Sequence, residues 1–105
     1  MKIAVAATTK NKDSNVSDMA GRAPYYLIFD EKSNLIETIN NPFCFGSGGA
    51  GYSVAKMLAD KKINIVVAGK FGYNMTEALN ERELKYYEKS GNIIDALKEI
   101  LEKSS

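Results

Sequence analysis

Two stretches of this chain, Ile3 to Ala7 (IAVAA) and Ile63 to Ala68 (INIVVA), are apolar at nearly every position. Each is too short to be a helix, and neither alternates as a strand with one wet face does. They read as strands buried on both sides. Such strands need cover above and below, which in a small chain comes from helices. At 105 residues there is material for one hydrophobic core and not two, so one domain spanning 1–105 is expected.

The remaining elements follow from local signals. Tyr25 to Asp30 (YYLIFD) and Leu35 to Ile39 (LIETI) are rich in aromatic and β-branched residues and flank the turn Glu31-Lys32-Ser33-Asn34, so they predict a hairpin. Pro24 stands at its entry, where a missing N–H is tolerated. From about Gly49 to Asp60, Ala50, Val54, Met57 and Leu58 recur at helical spacing. Asn74 with Glu77 three residues later predicts a capped helix start. Leu84 to Tyr87 reads as a strand, and Gly91-Asn92 introduces a last helix with Asp95 at its third position. The order is β-β-β-α-β-α-β-α, an α/β chain with a mixed sheet. In such sheets ligands bind at the carboxyl ends of the parallel strands. Here those ends lead into the polar stretch Thr8 to Arg22 and into Gly69 to Asn74.

Composition removes several kinds of chemistry. The chain has no histidine and one cysteine, so histidine-dependent catalysis, histidine-ligated metals and an internal disulfide are excluded within one chain. A formal net charge of +1 with mixed signs argues against nucleic acid as a partner. The apolar part of MKIAVAA is short for a signal peptide, and no run approaches the roughly 20 apolar residues of a membrane span. The expectation is a cytoplasmic protein without a membrane partner. A metal-dependent nuclease, which this element order would also suit, needs a carboxylate on the first strand, and KIAVAAT has none.

Three places carry candidate function. In NPFCFGSGGAG, Gly48, Gly49 and Gly51 precede or open a helix whose free N–H groups and dipole favour an anion; the same glycines also suit a tight loop with close helix packing. Cys44, just ahead, is a candidate thiolate metal ligand if it nears that helix start, and otherwise a small buried hydrophobe. In SNVSDMAGRAPYY, Arg22 suits bidentate anion contact or a surface ion pair. Met19 offers a soft sulfur or fills a core gap.

Taken together, MKIAVAATT, GRAPYYLIFD, NP followed by GGAG, INIVVAGKFG and NIIDALKEI resemble the nitrogenase iron–molybdenum cofactor accessory family, the NifX/NifB/NafY-type domain. The resemblance implies a ribonuclease-H-like fold, a five-stranded mixed sheet with three helices. It implies a non-enzymatic protein that binds or carries an iron–sulfur cluster or iron–molybdenum cofactor precursor, with cofactor-assembly proteins as partners. The implied binding region joins Ser17 to Arg22, Cys44 to Gly51, and Gly69 to Asn74, the last including Gly72. Where many members read His-Phe-Gly-Arg, this chain has Met19-Ala20-Gly21-Arg22, so the histidine expected to help hold a cluster is absent. Two other classes stay open: a flavin or phosphate binder using Thr8-Thr9-Lys10-Asn11-Lys12, and a ligand-free scaffold or regulatory module exposing Tyr25, Tyr26, Phe43, Phe45, Phe71 and Tyr73.

Overall fold

The apolar run at the start becomes β1 (Ile3–Ala7), all five residues of which are buried. The computed structural model describes residues 1–44 and 50–104. After β1 come β2 (Tyr25–Phe29), β3 (Leu35–Asn40), β4 (Ile65–Ala68) and β5 (Lys85–Glu88). They form one sheet of order β3-β2-β1-β4-β5. β1 is central, which is why it can be apolar throughout. It pairs antiparallel with β2, which pairs antiparallel with β3 to complete the hairpin. β4 runs parallel to β1, and β5 parallel to β4.

Helices α1 (Ala50–Asp60), α2 (Tyr73–Glu81) and α3 (Ile93–Ser104) cover the two faces. Ala4 and Ala6 share one face with Tyr26 and Ile28, packed with Val54 and Leu58 of α1 and Met75 and Leu79 of α2. Ile3, Val5 and Ala7 point the other way, into a layer with Leu27, Phe29, Ile93, Leu97 and Ile100. Alternate residues of β1 therefore serve two cores. Each large apolar side chain so buried contributes about 1.5–3 kcal/mol relative to exposure. Asn92 caps α3 through its side-chain oxygen, which accepts the Asp95 N–H at 3.2 Å.

Some boundaries differ from the sequence reading. Ile63 and Asn64 precede β4; Asn64 is taken up by Lys2, whose N–H donates to Asn64 Oδ1 at 2.8 Å while the Asn64 N–H donates to the Lys2 carbonyl at 2.9 Å. Leu84 stays outside β5 because its N–H closes the turn after α2 onto the Leu79 carbonyl at 2.9 Å. What positions the site is strand direction. β3, β4 and β5 all run the same way as β1, so the helices that follow them all begin at one end of the sheet. Their positive dipole ends gather there.

Candidate functional site

The polar stretch after β1 is a strap across that end of the sheet. Val16 pairs antiparallel with Ala7, and the Ser17 N–H donates to the Ala6 carbonyl at 2.8 Å. The strap then passes the end of β4. The Gly69 N–H donates to the Ser17 carbonyl and the Ala20 N–H to the Lys70 carbonyl, both at 2.9 Å, while Met19 bridges Lys70 in parallel. Glycine is required at 69, because a Cβ there would stand 2.8 Å from Asp18 Cα. The strap closes in a 3-10 turn, Ala20–Arg22, that brings Arg22 to the sheet end.

Two buried side chains fix this turn. The Tyr26 phenol, in the core below, donates to the Ala20 carbonyl. Burial pushes its pKa far above the ordinary phenol value, so it remains a neutral donor. Asn41 donates through Nδ2 to the Ala23 carbonyl at 2.8 Å and the Gly21 carbonyl at 3.3 Å, and its Oδ1 accepts the Phe43 N–H at 3.0 Å. It thus ties the strap to the loop carrying Cys44. Read from sequence, Asn41 is only part of a chain break; an asparagine before proline is the signal that marks such a bonded turn.

Between the strap and the two helix starts lies a cleft of about 260 Å³, lined by Met19, Gly21 and Arg22, by Ala50 and Gly51, and by residues 72–75. Gly72 caps α2 in an extended conformation (φ −76°, ψ 162°), without a side-chain hydrogen bond. The expected cap at Asn74 is therefore corrected: Gly72 already leaves the helix path, and Asn74 falls inside the first turn. The Glu77 carboxylate, one turn further along α2, holds the exposed Tyr73 phenol above its ordinary pKa. First-turn N–H groups have no intrahelical acceptor, and among the described residues those of Tyr73, Asn74 and Met75 have no other acceptor.

The two glycines of the cleft differ. A Cβ on Gly51 would lie 2.9 Å from both Met75 Cβ and Met75 N, so this glycine lets α1 and α2 touch. A Cβ on Gly72 would meet nothing within 4 Å. Of the candidate residues, Arg22, Gly51 and Gly72 meet in this cleft. Cys44 is half-buried in the turn after Pro42 and is not among the lining residues. Gly48 and Gly49 lie outside the described residues.

Met19 lines the cleft and is 46% exposed, so filling a core gap is not its place. Among the expected surface aromatics, Tyr26 and Phe71 are buried and Tyr73 is 77% exposed; Phe45 lies outside the described residues. In the stretch proposed for phosphate, Thr9 Oγ1 and Asn11 Oδ1 accept N–H groups of their own turn, from Asn11 and Asp13. Among the described residues no three His, Cys, Asp or Glu side chains converge as a metal site. The cleft offers backbone donors, a guanidinium and a thioether, a set suited to an anion with soft surface atoms.

A five-stranded mixed sheet with three helices and a cleft at the helix starts defines a small α/β domain. Its sequence matches the profile of the dinitrogenase iron–molybdenum cofactor family over residues 1–103, and the chain belongs to that family. No curated protein gives a significant match. Among solved structures it is similar to the apo form of the orange protein from Desulfovibrio gigas, with 25% identity and a TM-score of 0.90, covering 97% of this chain and 88% of the other. It is also similar to a NifB-like protein from Thermotoga, at 28% identity and a TM-score of 0.81, covering 96% and 87%. A dinitrogenase-related protein from Methanocaldococcus jannaschii, at 16% identity and a TM-score of 0.67 over 98% and 89%, shares the fold.

Proposed function

We propose that this chain is a non-enzymatic carrier whose cargo, an anionic iron–sulfur cluster or iron–molybdenum cofactor precursor, sits in the cleft between the strap and the starts of α1 and α2. The observation that carries this reading is the meeting of Arg22 with two helix starts, where Gly72 leaves the backbone open. Family membership supports the choice of cargo, and the naming of the orange protein's apo form as such supports a ligand-bound state in a near neighbour. The cargo arrives assembled, because the described residues supply no side-chain ligand set to build one. Arg22 and the first-turn N–H groups meet its negative charge. Cofactor-assembly proteins are the natural donors and acceptors. The strand order 3-2-1-4-5 with its antiparallel second strand supports the ribonuclease-H-like label.

The test is to mix anaerobically purified protein with a preassembled iron–sulfur cluster, desalt, and record iron content and visible spectrum. Wild type should stay coloured. Arg22→Gln should lose about tenfold in affinity, the scale of one charge-assisted contact. Cys44→Ala should retain most of the iron, since the thiol does not line the cleft. A colourless Cys44→Ala beside a coloured Arg22→Gln would make the thiolate the anchor and displace the cleft model.

A further inference from the structure

Six large apolar side chains are exposed among the described residues. Met1, Leu35 and Ile36 lie where β1 and β3 begin, at the end of the sheet away from the cleft. The other three gather at one place. Met19 (46% exposed) and Tyr73 (77%) line the cleft, and Tyr52 (43%) stands in the first turn of α1, next in the chain after the lining residue Gly51. Elsewhere along α1, α2 and the strap, the large side chains Val16, Val54, Leu58, Met75 and Leu79 are buried.

We propose that Met19 and Tyr73 are two jaws that pack against the sulfide-covered exterior of the cargo, and that they select sulfide-bearing over oxygen-bearing anions. The inference rests on the carrier reading above. Arg22 and the backbone donors recognise negative charge of any kind, so by themselves they do not distinguish a cluster from phosphate. A thioether and an aromatic ring do, because both make favourable contacts with soft, polarisable sulfur, whereas a hydrated oxygen surface gains little from them. Both jaws are held before cargo arrives. Met19 has its backbone bridged to Lys70, and its carbonyl accepts the Arg22 N–H at 3.2 Å. Tyr73 is the first residue of α2, so its backbone is fixed by the helix start. The jaws touch sulfide and ligate no metal, so their contribution does not depend on the missing histidine.

The experiment compares two probes, a preassembled iron–sulfur cluster capped by small thiolates and inorganic phosphate. The proteins are wild type, Met19→Ala, Tyr73→Ala and Tyr73→Phe. The chain has six tyrosines and no tryptophan, so quenching of tyrosine fluorescence by the absorbing cluster reads cluster binding, with retained iron as a second readout, and calorimetry reads the colourless phosphate. Each alanine variant should lose about three- to tenfold in affinity for the cluster, the scale of sulfur–aromatic contacts, with phosphate binding unchanged. Tyr73→Phe keeps the ring and should bind the cluster as wild type does. Unchanged cluster affinity in both alanine variants, or an equal loss for phosphate, overturns the jaws and leaves the carrier standing. A Tyr73→Phe loss as large as that of Tyr73→Ala also overturns them, since the hydroxyl would then be the contact. Wild type that retains no cluster overturns both proposals.

Discussion

The two ends of the sheet are built from the same strands and behave differently. At the end where β1 begins, polar groups are used up locally. The Asp30 carboxylate accepts the N–H groups of Lys32 at 2.8 Å and Asn34 at 2.9 Å and the Asn34 side chain at 3.1 Å, closing the β2–β3 turn. The Asn34 N–H is the main reason its pKa lies below the usual carboxylate range. A groove of about 800 Å³ also lies at this end, but it is lined by strand beginnings such as Lys85 and by residues just past the end of α2, such as Arg82 and Glu83. At the other end the chain is drawn into a strap, three helices begin, and a smaller cleft lies beside the starts of two of them. What sets apart the end proposed for the cargo is therefore strand direction and helix polarity, and not cavity size.

The comparison is broken most severely at Gly69. Gly69→Val sets a branched side chain against the Asp18 backbone where even a Cβ has no room. It should lower stability by about 3 kcal/mol or more, read as a fall in the urea midpoint. A stability equal to wild type would mean that the strap does not cross β4 as described.

Tyr26 gives a smaller effect with a distinctive pH dependence. Tyr26→Phe removes the donor to the Ala20 carbonyl and should cost about 1–3 kcal/mol at neutral pH. The folded-state pKa is raised by burial, so the stabilising difference is present below the unfolded phenol value and is lost as pH climbs. Above about pH 10 the unfolded chain releases this proton and the folded chain keeps it. Wild-type stability should then fall by about 1.4 kcal/mol per pH unit more steeply than that of Tyr26→Phe. Parallel pH profiles would show that this hydroxyl is not buried.

Gly72 sharpens the contrast most finely. With nothing near its missing Cβ, Gly72→Ala should change stability by less than about 1 kcal/mol, the scale of a helix cap. It should still weaken cluster retention, because the methyl stands where the backbone opens. Asp30→Asn, at the far end, should leave retention untouched. Equal retention by Gly72→Ala and wild type would move the cargo away from the start of α2.

How much of this the sequence disclosed varied by region. The buried strands were legible because a run that is apolar at nearly every position, yet too short for a helix, fits little except a strand covered on both faces. The start of α3 was legible because Asn92 and Asp95 stand at cap spacing. The start of α2 misled, since Asn74 and Glu77 have that same spacing while a glycine with no side-chain signal is the true cap. Arg22 and the glycines were visible as residue types. Their meeting was not, because the strap is held by main-chain bonds from Ser17, Gly69 and Ala20 that leave no periodic pattern. Nor does a sequence tell a glycine that has no room, as at 51 and 69, from one that faces open space, as at 72.

The most direct test of the account is an amide-resolved NMR titration of wild type with a preassembled iron–sulfur cluster. Broadening or shifts confined to Met19, Gly21, Arg22, Gly51 and the first turn of α2, with Asp30 to Asn34 unmoved, is the predicted result. Perturbation centred on Arg82, Lys85 or the β2–β3 turn instead would contradict it.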